Sequence, residues 1–547
     1  MKKWLSLVLA VTMLLTLVGC NGRIKVAGGG YGGSLISQRP TNNSQEATPP
    51  MDVEDTAPTA ATMPTESPMP TEPTEPDPEQ EYYQITLWVP EYMEDAVWAQ
   101  IDAFNENNPY NLYFDAYIET CYLGDVAGYK IADPYGGADL FFFESQGLEL
   151  MLNAGALSQL TPWAQKEAES SNCTFAVDAA SAYGGMFAFP AAINNGYFMY
   201  YDKSVISEKD VHSLEAIVMA CEKYGRPFSF DTRNGWYLSS FFFGTGCTSQ
   251  WQIDGEGNII SVADNFDSEM GYAALAGLDI LLQSDYHLNS SFAGDFSAYN
   301  SSAVVISGSW DYEYAQYLLG DNLGVAELPS FFYNSKFYHL SGFGGCALLG
   351  VMPQYDEARE TALMYLAQYL TGEECQLNNM EYDQTWIPTN VEAQKSQTVQ
   401  NNPCAVAMIN QSRYMVPQRH IHGAWWDVVI CIPDWMNSGL DRWTVLSQYS
   451  EALQQIFVEH ACWSVMGSVH GSIWNKDFDM QMMSDGTYRT VEPLWFEYDS
   501  EYKIRYGYSW DINYGQDGVF DGPNCMPGVI GYYYVWFDPA TGYSWLT

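Results

Sequence analysis

Predicted strands and helices alternate along the chain from about residue 82 onward, and this alternation restricts the fold more than any other sequence feature. Residues 82–89 are β-rich, and residues 97–104 place apolar side chains at helical spacing. Residues 112–118 and the strongly apolar residues 139–143 are typical of strands, and residues 148–154 of a helix. The pattern predicts an α/β protein with mixed, mainly parallel sheets covered on both faces.

The alternation resumes in the second part of the chain. Strands are predicted at residues 196–201, 303–306 and 346–351, and helices at residues 214–224, 272–282 and 356–370. Thr371 and Glu374 have the spacing of a capping box that would start a further helix. About 380 residues of this pattern exceed one α/β core, so two lobes are expected. A ligand would then settle between them, beyond the carboxyl ends of the strands.

The charge balance excludes several classes of partner. The 547 residues include 67 acidic and 22 basic side chains, which gives a formal net charge of −45. Nucleic acid would be repelled by this charge. A surface for anionic lipid is also disfavoured, because the basic residues form no dense run.

Aromatic residues are unusually frequent at 15% of the chain, with 18 Trp and 40 Tyr. Rings of this kind suit a ligand that has both apolar faces and polar edges.

The N-terminus has the pattern of an export signal. Lys2 and Lys3 precede a mostly apolar run over residues 5–18, which is too short for an ordinary spanning helix of about 20 residues. The run ends in a segment that resembles the lipobox of bacterial lipoproteins, in which Cys20 would be lipidated and become the mature N-terminus. Residues 1–20 are therefore expected to be a lipoprotein signal peptide, and the lipid on Cys20 would anchor the mature protein to the outer face of the cell membrane.

Residues 21–81 are rich in Gly, Ser, Thr, Pro and Glu and are expected to form a disordered tether. No later stretch is long and apolar enough to span a membrane. The ten cysteines after Cys20 contain no Cys-x-x-Cys pair, so a structural zinc site is not expected and free thiols are the preferred interpretation.

Several segments match a known family in order and spacing. They are residues 183–190 (YGGMFAFP), 194–197 (NNGY), 200–203 (YYDK), 303–310 (AVVISGSW), 324–329 (GVAELP), 344–349 (GGCALL), 366–376, 386–389 (WIPT), 416–417 and 423–426 (GAWW). Over about residues 84–460 the chain thereby resembles extracellular solute-binding proteins of ABC sugar importers, in the maltodextrin-binding-protein-like branch known as solute-binding family 1.

The resemblance implies a two-lobed periplasmic-binding-protein-like fold of type II, with an interlobe cleft and a hinge. Its lobes would comprise residues 82–193 with 340–393, and residues 194–339 with 394–465. Three chain crossings would join them, and the permease subunits of an ABC transporter would recognise the form closed around a carbohydrate ligand.

The resemblance also implies binding residues. Trp310 and Trp426, the latter with its neighbour Trp425, match positions where the family places rings against sugars. Phe143 falls where maltodextrin binders carry another Trp, and Asn194 or Asn195 lies near a polar contact at the first hinge.

Two departures from the family pattern disfavour maltodextrin itself. Gln146 and Gly147 replace an acidic residue and an Arg, and Ile430 stands where an Arg is expected.

Residues 466–547 lie beyond the resemblance and predict a β-rich extension. It would either bind sugar or pack on the second lobe, and packing is the preferred interpretation. Sequence motifs of hydrolases, nucleotide binding and metal binding are absent, so we expect a protein that is not an enzyme and uses no cofactor or metal. Two alternatives stay open, which are a receptor for polyamines or another small solute on the same fold, and a polysaccharide-binding adhesin without a transport role.

Overall fold

A computed structural model describes residues 80–254, 257–458, 462–472, 474, 476–510 and 512–547. The expected signal peptide, its Cys20 and the tether up to residue 79 lie outside these residues. In the described ranges, no helix combines the length and apolar character needed to cross a membrane.

The first lobe is built on a mixed sheet, here called the N-lobe sheet. Its strands, in spatial order, are Ile387–Pro388, Ala188–Asn195, Phe343–Val351, Leu140–Glu144, Glu81–Val89 and Leu112–Thr120, and Val416–Pro417 pairs with Phe343–Val351. Strand Glu81–Val89 pairs in parallel with both of its neighbours. Strand Phe343–Val351 pairs antiparallel with Leu140–Glu144 and with Ala188–Asn195, and in parallel with Val416–Pro417.

Helices cover this sheet because their apolar stripes face it. The helices are Glu94–Glu106, Val126–Ala132, Leu148–Asn153, Pro162–Ser171, Thr174–Ala179, Glu357–Leu370 and Glu373–Tyr382. The helix Glu94–Glu106, for example, buries Val97, Ile101 and Phe104 on one stripe. The predicted capping box is wrong, because the hydroxyl of Thr371 donates backward to the carbonyl of Ala367 at 2.8 Å, and Gly372 is the N-cap of the next helix.

The second lobe is built on a smaller sheet, here called the C-lobe sheet. Its strands, in spatial order, are His287–Leu288, Phe228–Ser229, Val304–Ser307, Phe198–Asp202 and Leu323–Ala326. The surrounding helices are Leu214–Tyr224, Gly235–Thr245, Glu269–Leu282, Tyr312–Leu319, Gln397–Gln400, Pro403–Ser412, Gly423–Val429, Ile432–Asn437 and Arg442–Val458. Two hairpins complete the lobe, Ser249–Ile253 with Ile259–Asp264 and Ser330–Tyr333 with Lys336–His339.

The chain crosses from one lobe to the other more than once, and two of the crossing segments are in contact. The first passage is at Gly196 and Tyr197, between a strand of each sheet. The second includes Gly342, whose φ is +141°, and a Cβ there would lie 2.3 Å from the Tyr197 hydroxyl oxygen. Only glycine therefore fits at position 342. The exact residue boundaries of the lobes remain a prediction.

The C-terminal region forms its own β structure, here called the extension. One sheet has the strand order Asn513–Tyr514, Tyr502–Tyr506, Trp463–Gly467, Asp477–Met482, Tyr488–Thr490, Val535–Phe537 and Ser544–Leu546. A second, two-stranded antiparallel sheet pairs Leu494–Phe496 with Gly531–Tyr533. A separate core packs under it, with Val465, Ile504 and Phe537 fully buried. The first strand begins at Trp463, shortly before the expected start at residue 466.

No disulfide bond joins the ten described cysteines, and six of them are buried. Burial raises the pKa of several of these thiols, for example that of Cys404 to about 12.

Candidate binding cleft

Trp310 sits on a turn that the surrounding structure holds firmly. The turn Ser309–Asp311 follows the C-lobe strand Val304–Ser307. One carboxylate oxygen of the buried Asp311 accepts hydrogen bonds from the Ser307 hydroxyl at 2.7 Å and from the Ala293 amide at 2.9 Å. The Trp310 ring is nevertheless 44% exposed. A rigid turn thus presents an open aromatic face beyond the carboxyl end of a strand.

The ring of Trp310 also lies directly over Gly308. A Cβ at position 308 would lie 2.1 Å from the indole of Trp310. The carbonyl of Gly308 accepts a hydrogen bond from the Tyr200 hydroxyl at 2.8 Å, which fixes the backbone under the ring.

Trp236 and Trp426 extend this aromatic surface. The Trp236 ring centroid lies 6.1 Å from that of Trp310 and 4.6 Å from that of Tyr197. Trp426 is half-buried and packs against Gly235, where a Cβ would lie 3.0 Å from its ring. The close approach of Trp426 to Gly235, the residue before Trp236, brings helix Gly423–Val429 against the start of helix Gly235–Thr245.

A polar cluster at the first hinge faces the same region from the N-lobe. Glu144 ends the strand Leu140–Glu144, and its Oε1 accepts a hydrogen bond from Asn194 Nδ2 at 2.9 Å. Burial raises the pKa of Glu144 to about 7, against a smaller lowering by the bond from Asn194. The Asn194 Oδ1 atom has no hydrogen-bond partner among the described residues. Asn195 is half-buried beside this pair and pairs with Gly345.

Gln418 connects the polar cluster to the aromatic surface. Its Oε1 accepts a hydrogen bond from Trp236 Nε1 at 3.2 Å, and its Nε2 donates to Gln146 Oε1 at 3.4 Å. The next residue, Arg419, donates to the carbonyls of Ala179, Asp178 and Ser181 in the N-lobe. A single segment therefore links both sides of the cleft.

The lobes also touch through a second contact. Asn153 Nδ2, at the end of an N-lobe helix, donates to the carbonyl of Asp254 in the C-lobe hairpin loop at 3.0 Å. Together with the bond between Gln146 and Gln418, this contact joins the two lobes.

Two predicted site residues are not at the cleft surface, which corrects the sequence-based expectation. Phe143 is 0% exposed because its strand lies in the middle of the N-lobe sheet and its ring is part of the apolar core between this sheet and the covering helices. Trp425 is also 0% exposed, and its Nε1 donates to the Tyr449 hydroxyl at 2.8 Å inside the C-lobe core. Neither ring offers a face to a ligand.

The structure adds three residues that the sequence analysis missed, which are Glu144, Trp236 and Gln418. The sequence could have indicated Glu144, because it is the carboxylate at the end of an apolar strand, where ligands of α/β proteins bind. Trp236 and Gln418 had none, because both reach the cleft through tertiary contacts. Among the described residues, no group of three His, Cys, Asp or Glu side chains could hold a metal ion.

A two-lobed α/β fold with a hinge and a cleft between the lobes defines a class of ligand-binding proteins. The family described as bacterial extracellular solute-binding protein matches residues 99–407, which is more than half of the chain. The chain belongs to this family. No curated protein matches the sequence.

Solved structures support the same fold. The maltodextrin binding protein MalE1 from L. casei BL23 shares 20% identity at a TM-score of 0.57, over 69% of this chain and 99% of that one. A cyclo/maltodextrin-binding protein complexed with maltotetraose shares 16% sequence identity at a TM-score of 0.57, over 70% of this chain and 99% of that one. A Staphylococcus aureus extracellular solute-binding protein in complex with maltose shares 18% sequence identity at a TM-score of 0.56, over 70% of this chain and 98% of that one. The expected two-lobed periplasmic-binding-protein-like fold is confirmed.

Proposed function

We propose that this protein captures a carbohydrate, most suitably an oligosaccharide, in the interlobe cleft and delivers it to an ABC transporter. The observation that carries the proposal is the exposed Trp310 ring, held on a rigid turn beside Trp236 and across from the polar cluster at Glu144. A pyranose has a C–H face that packs on such a ring and hydroxyl edges that need donors and acceptors.

The polar groups suit hydroxyls better than cations. Because burial raises the pKa of Glu144 to about 7, this carboxyl group is partly protonated near neutral pH and can donate as well as accept a hydrogen bond. Asn194 and Gln418 add uncharged amides. This composition favours a sugar over a polyamine, whose ammonium groups would need ionised carboxylates.

The solved relatives bound to maltotetraose and maltose support a carbohydrate as the ligand class. In this chain Gln146 and Ile430 stand where the family pattern has charged groups, so the proposed sugar differs from maltodextrin.

A thermal-shift screen of the detergent-purified full chain tests the proposal. The probes are linear α- and β-linked glucans, β-linked xylans, spermidine and amino acids. A ligand at a hundred times its dissociation constant stabilises the protein by about 2.7 kcal/mol. We expect a shift confined to one glycan family, with no new reducing ends released. A shift with spermidine alone would establish polyamine binding instead, and release of reducing sugar would establish a hydrolase.

The membrane anchor is a separate part of the proposal. We expect Cys20→Ser to move the protein from the membrane fraction to the medium, because one acyl-modified residue would hold the chain at the lipid surface. Retention of the variant in the membrane fraction would contradict anchoring through Cys20.

A further inference from the structure

An open cavity of about 570 Å³ lies beside Leu112–Thr120, the edge strand of the N-lobe sheet. Strand Glu81–Val89 lies between this edge strand and strand Leu140–Glu144, whose last residue is the Glu144 of the cleft. None of the cleft residues described above lines the cavity. Its lining residues are Trp88, Glu94, Tyr117, Ile118, Glu119, Thr120, Cys121 and Tyr129. The cavity is therefore a second space, separate from the proposed sugar site.

Three aromatic rings form walls of this cavity. Trp88 pairs with Glu119 across the two parallel strands, so Tyr117, two residues before Glu119, lies on the same face of the sheet as Trp88. The ring centroid of Tyr129 lies 6.0 Å from that of Trp88, and the two ring planes meet at 72°. Tyr117 is 64% exposed and Tyr129 is 54% exposed. Rings from two strands and a helix thus border one space from different directions.

The Trp88 ring is held in place by its neighbours. Its Nε1 donates to Glu119 Oε2 at 2.7 Å. A Cβ at Gly137 would lie 2.3 Å from the indole, so the backbone at Gly137 packs directly against the ring. Lys130 Nζ lies 5.2 Å from the Trp88 ring centroid and donates to the carbonyl of Gly136 at 2.8 Å. The wall formed by Trp88 is therefore in position before a ligand arrives.

The charges that line the cavity are negative. They belong to Glu94, in the first turn of helix Glu94–Glu106, and to Glu119, and none of the lining residues is basic. The Cys121 thiol adds no charge at neutral pH, because burial raises its pKa to about 11. Lys130 does not line the cavity and is 0% exposed, so its ammonium group does not face a ligand there.

We propose that this cavity binds a small organic cation whose charge lies on a methylated ammonium group. The rings of Trp88, Tyr117 and Tyr129 contact its methyl groups. The carboxylates of Glu94 and Glu119 balance its charge. A cation beside an aromatic face is attracted by the ring, most strongly by that of Trp.

The shape of the cavity favours this ligand over a second sugar. A pyranose packs flat against one ring face, whereas ring planes at 72° form a corner that suits a compact, rounded group. An anion would be repelled by the two lining carboxylates. The site goes beyond the proposed function, because it shares no lining residue with the cleft.

Isothermal titration calorimetry of the full chain, purified in a non-ionic detergent, tests the site with two probes of the same shape. One is choline, and the other is its uncharged analogue, in which a tert-butyl group replaces the trimethylammonium group. We expect choline to bind and the analogue to bind at least about tenfold more weakly. Equal affinities for the two probes, or no binding of choline at millimolar concentration, would overturn the proposal.

A pair of tyrosine variants tests the aromatic wall. Tyr117→Ala should weaken choline binding about threefold to tenfold, because one ring of the corner is lost. Tyr135→Ala is the matched control, since Tyr135 is 58% exposed in the same lobe but does not line the cavity. Thermal unfolding checks that both variants are folded. Equal choline affinities for the two variants would show that the cation binds elsewhere.

A pair of glutamate variants tests the charge. Glu94→Gln should weaken choline binding by about threefold, because a lining carboxylate becomes an amide. Glu106→Gln removes the same charge at the other end of the helix Glu94–Glu106 and should leave choline binding unchanged. Equal losses in both variants would mean that choline responds only to the overall negative charge of the surface, which would contradict a built site.

The same variants separate this site from the cleft. Tyr117→Ala should leave the affinity for glycans unchanged. In the thermal-shift screen, a response to spermidine that disappears in Tyr117→Ala arises at this cavity, and one that persists arises elsewhere. Choline binding in a protein that binds no glycan would overturn the proposed function and support this second site.

Discussion

The indole Nε1 of Trp236 donates a hydrogen bond to Oε1 of Gln418 at 3.2 Å, and this pair joins the aromatic surface of the C-lobe to the segment that runs back toward the N-lobe. Since Gln418 also bonds to Gln146, its side chain is shared by both sides of the cleft. The balance between open and closed forms of the cleft should therefore depend in part on this amide, beside the bonds made by Arg419 and Asn153.

We expect Gln418→Leu to favour the open form, because the side chain that bridges Trp236 and Gln146 is lost, and each of its two hydrogen bonds contributes about 0.5–1.5 kcal/mol. The radius of gyration of the ligand-free protein from small-angle X-ray scattering should increase, and ligand affinity should fall. Gln283→Leu, at an exposed glutamine after helix Glu269–Leu282, is the matched control. An unchanged radius and affinity would show that the amide does not couple the lobes.

Trp310→Ala should reduce ligand affinity by about 1–3 kcal/mol and change the melting temperature little, because Trp310 is 44% exposed and lies outside the buried core. Calorimetry and thermal unfolding check the two parts. Tyr299→Ala is a suitable control, since Tyr299 is 94% exposed and precedes the strand whose far end carries Trp310. A large loss of stability in Trp310→Ala would contradict a role at the cleft surface.

Trp425 and Trp426 are sequence neighbours with different expected roles. Trp425→Ala should lower the free energy of unfolding by about 3–5 kcal/mol, because it empties a core site and leaves the Tyr449 hydroxyl without its donor. Trp426→Ala should mainly weaken ligand binding, by about 1–3 kcal/mol. Chemical denaturation and calorimetry of both variants test the difference, and a reversal of the two results would place Trp425 at the ligand.

Glu144 predicts a pH dependence of stability. Burial raises its pKa to about 7 in the folded protein from 4.5, so the folded state binds the proton more tightly than the unfolded state. Its contribution to stability is complete below about pH 4.5 and is lost as the pH rises through 7. The free energy of unfolding, compared between wild type and Glu144→Gln across this range, should show a steeper decline in wild type. Parallel curves would contradict the raised pKa.

Gly342→Ala should destabilise the hinge. A Cβ would meet the Tyr197 hydroxyl at 2.3 Å, and a φ of +141° is strained for alanine by about 1–3 kcal/mol. Gly439→Ala provides the comparison, since Gly439 has a φ of +85° but open space around it. We expect a lower midpoint of denaturation for Gly342→Ala than for Gly439→Ala. Equal midpoints would mean that the crossing segments give way to the added methyl group.

The sequence predicted the alternating elements well where apolar spacing was clear. The expected helix at residues 356–370 appears as Glu357–Leu370, and the strand at residues 82–89 as Glu81–Val89. The position of Phe143 could not be predicted, because its strand is buried on both faces and the apolar run 140–143 does not tell which side chain reaches the cleft. Trp425 and Trp426 differ by about 100° around one helix, and only packing decides which of them turns inward.

The burial of the cysteines has a consequence for the reactivity of the folded protein. No disulfide bond joins the ten described cysteines. Burial raises the pKa of most of their thiols, that of Cys221 and that of Cys404 to about 12, and a protonated thiol is a poor nucleophile. These thiols should therefore react slowly with thiol-modifying reagents in the folded protein and much faster once the chain unfolds.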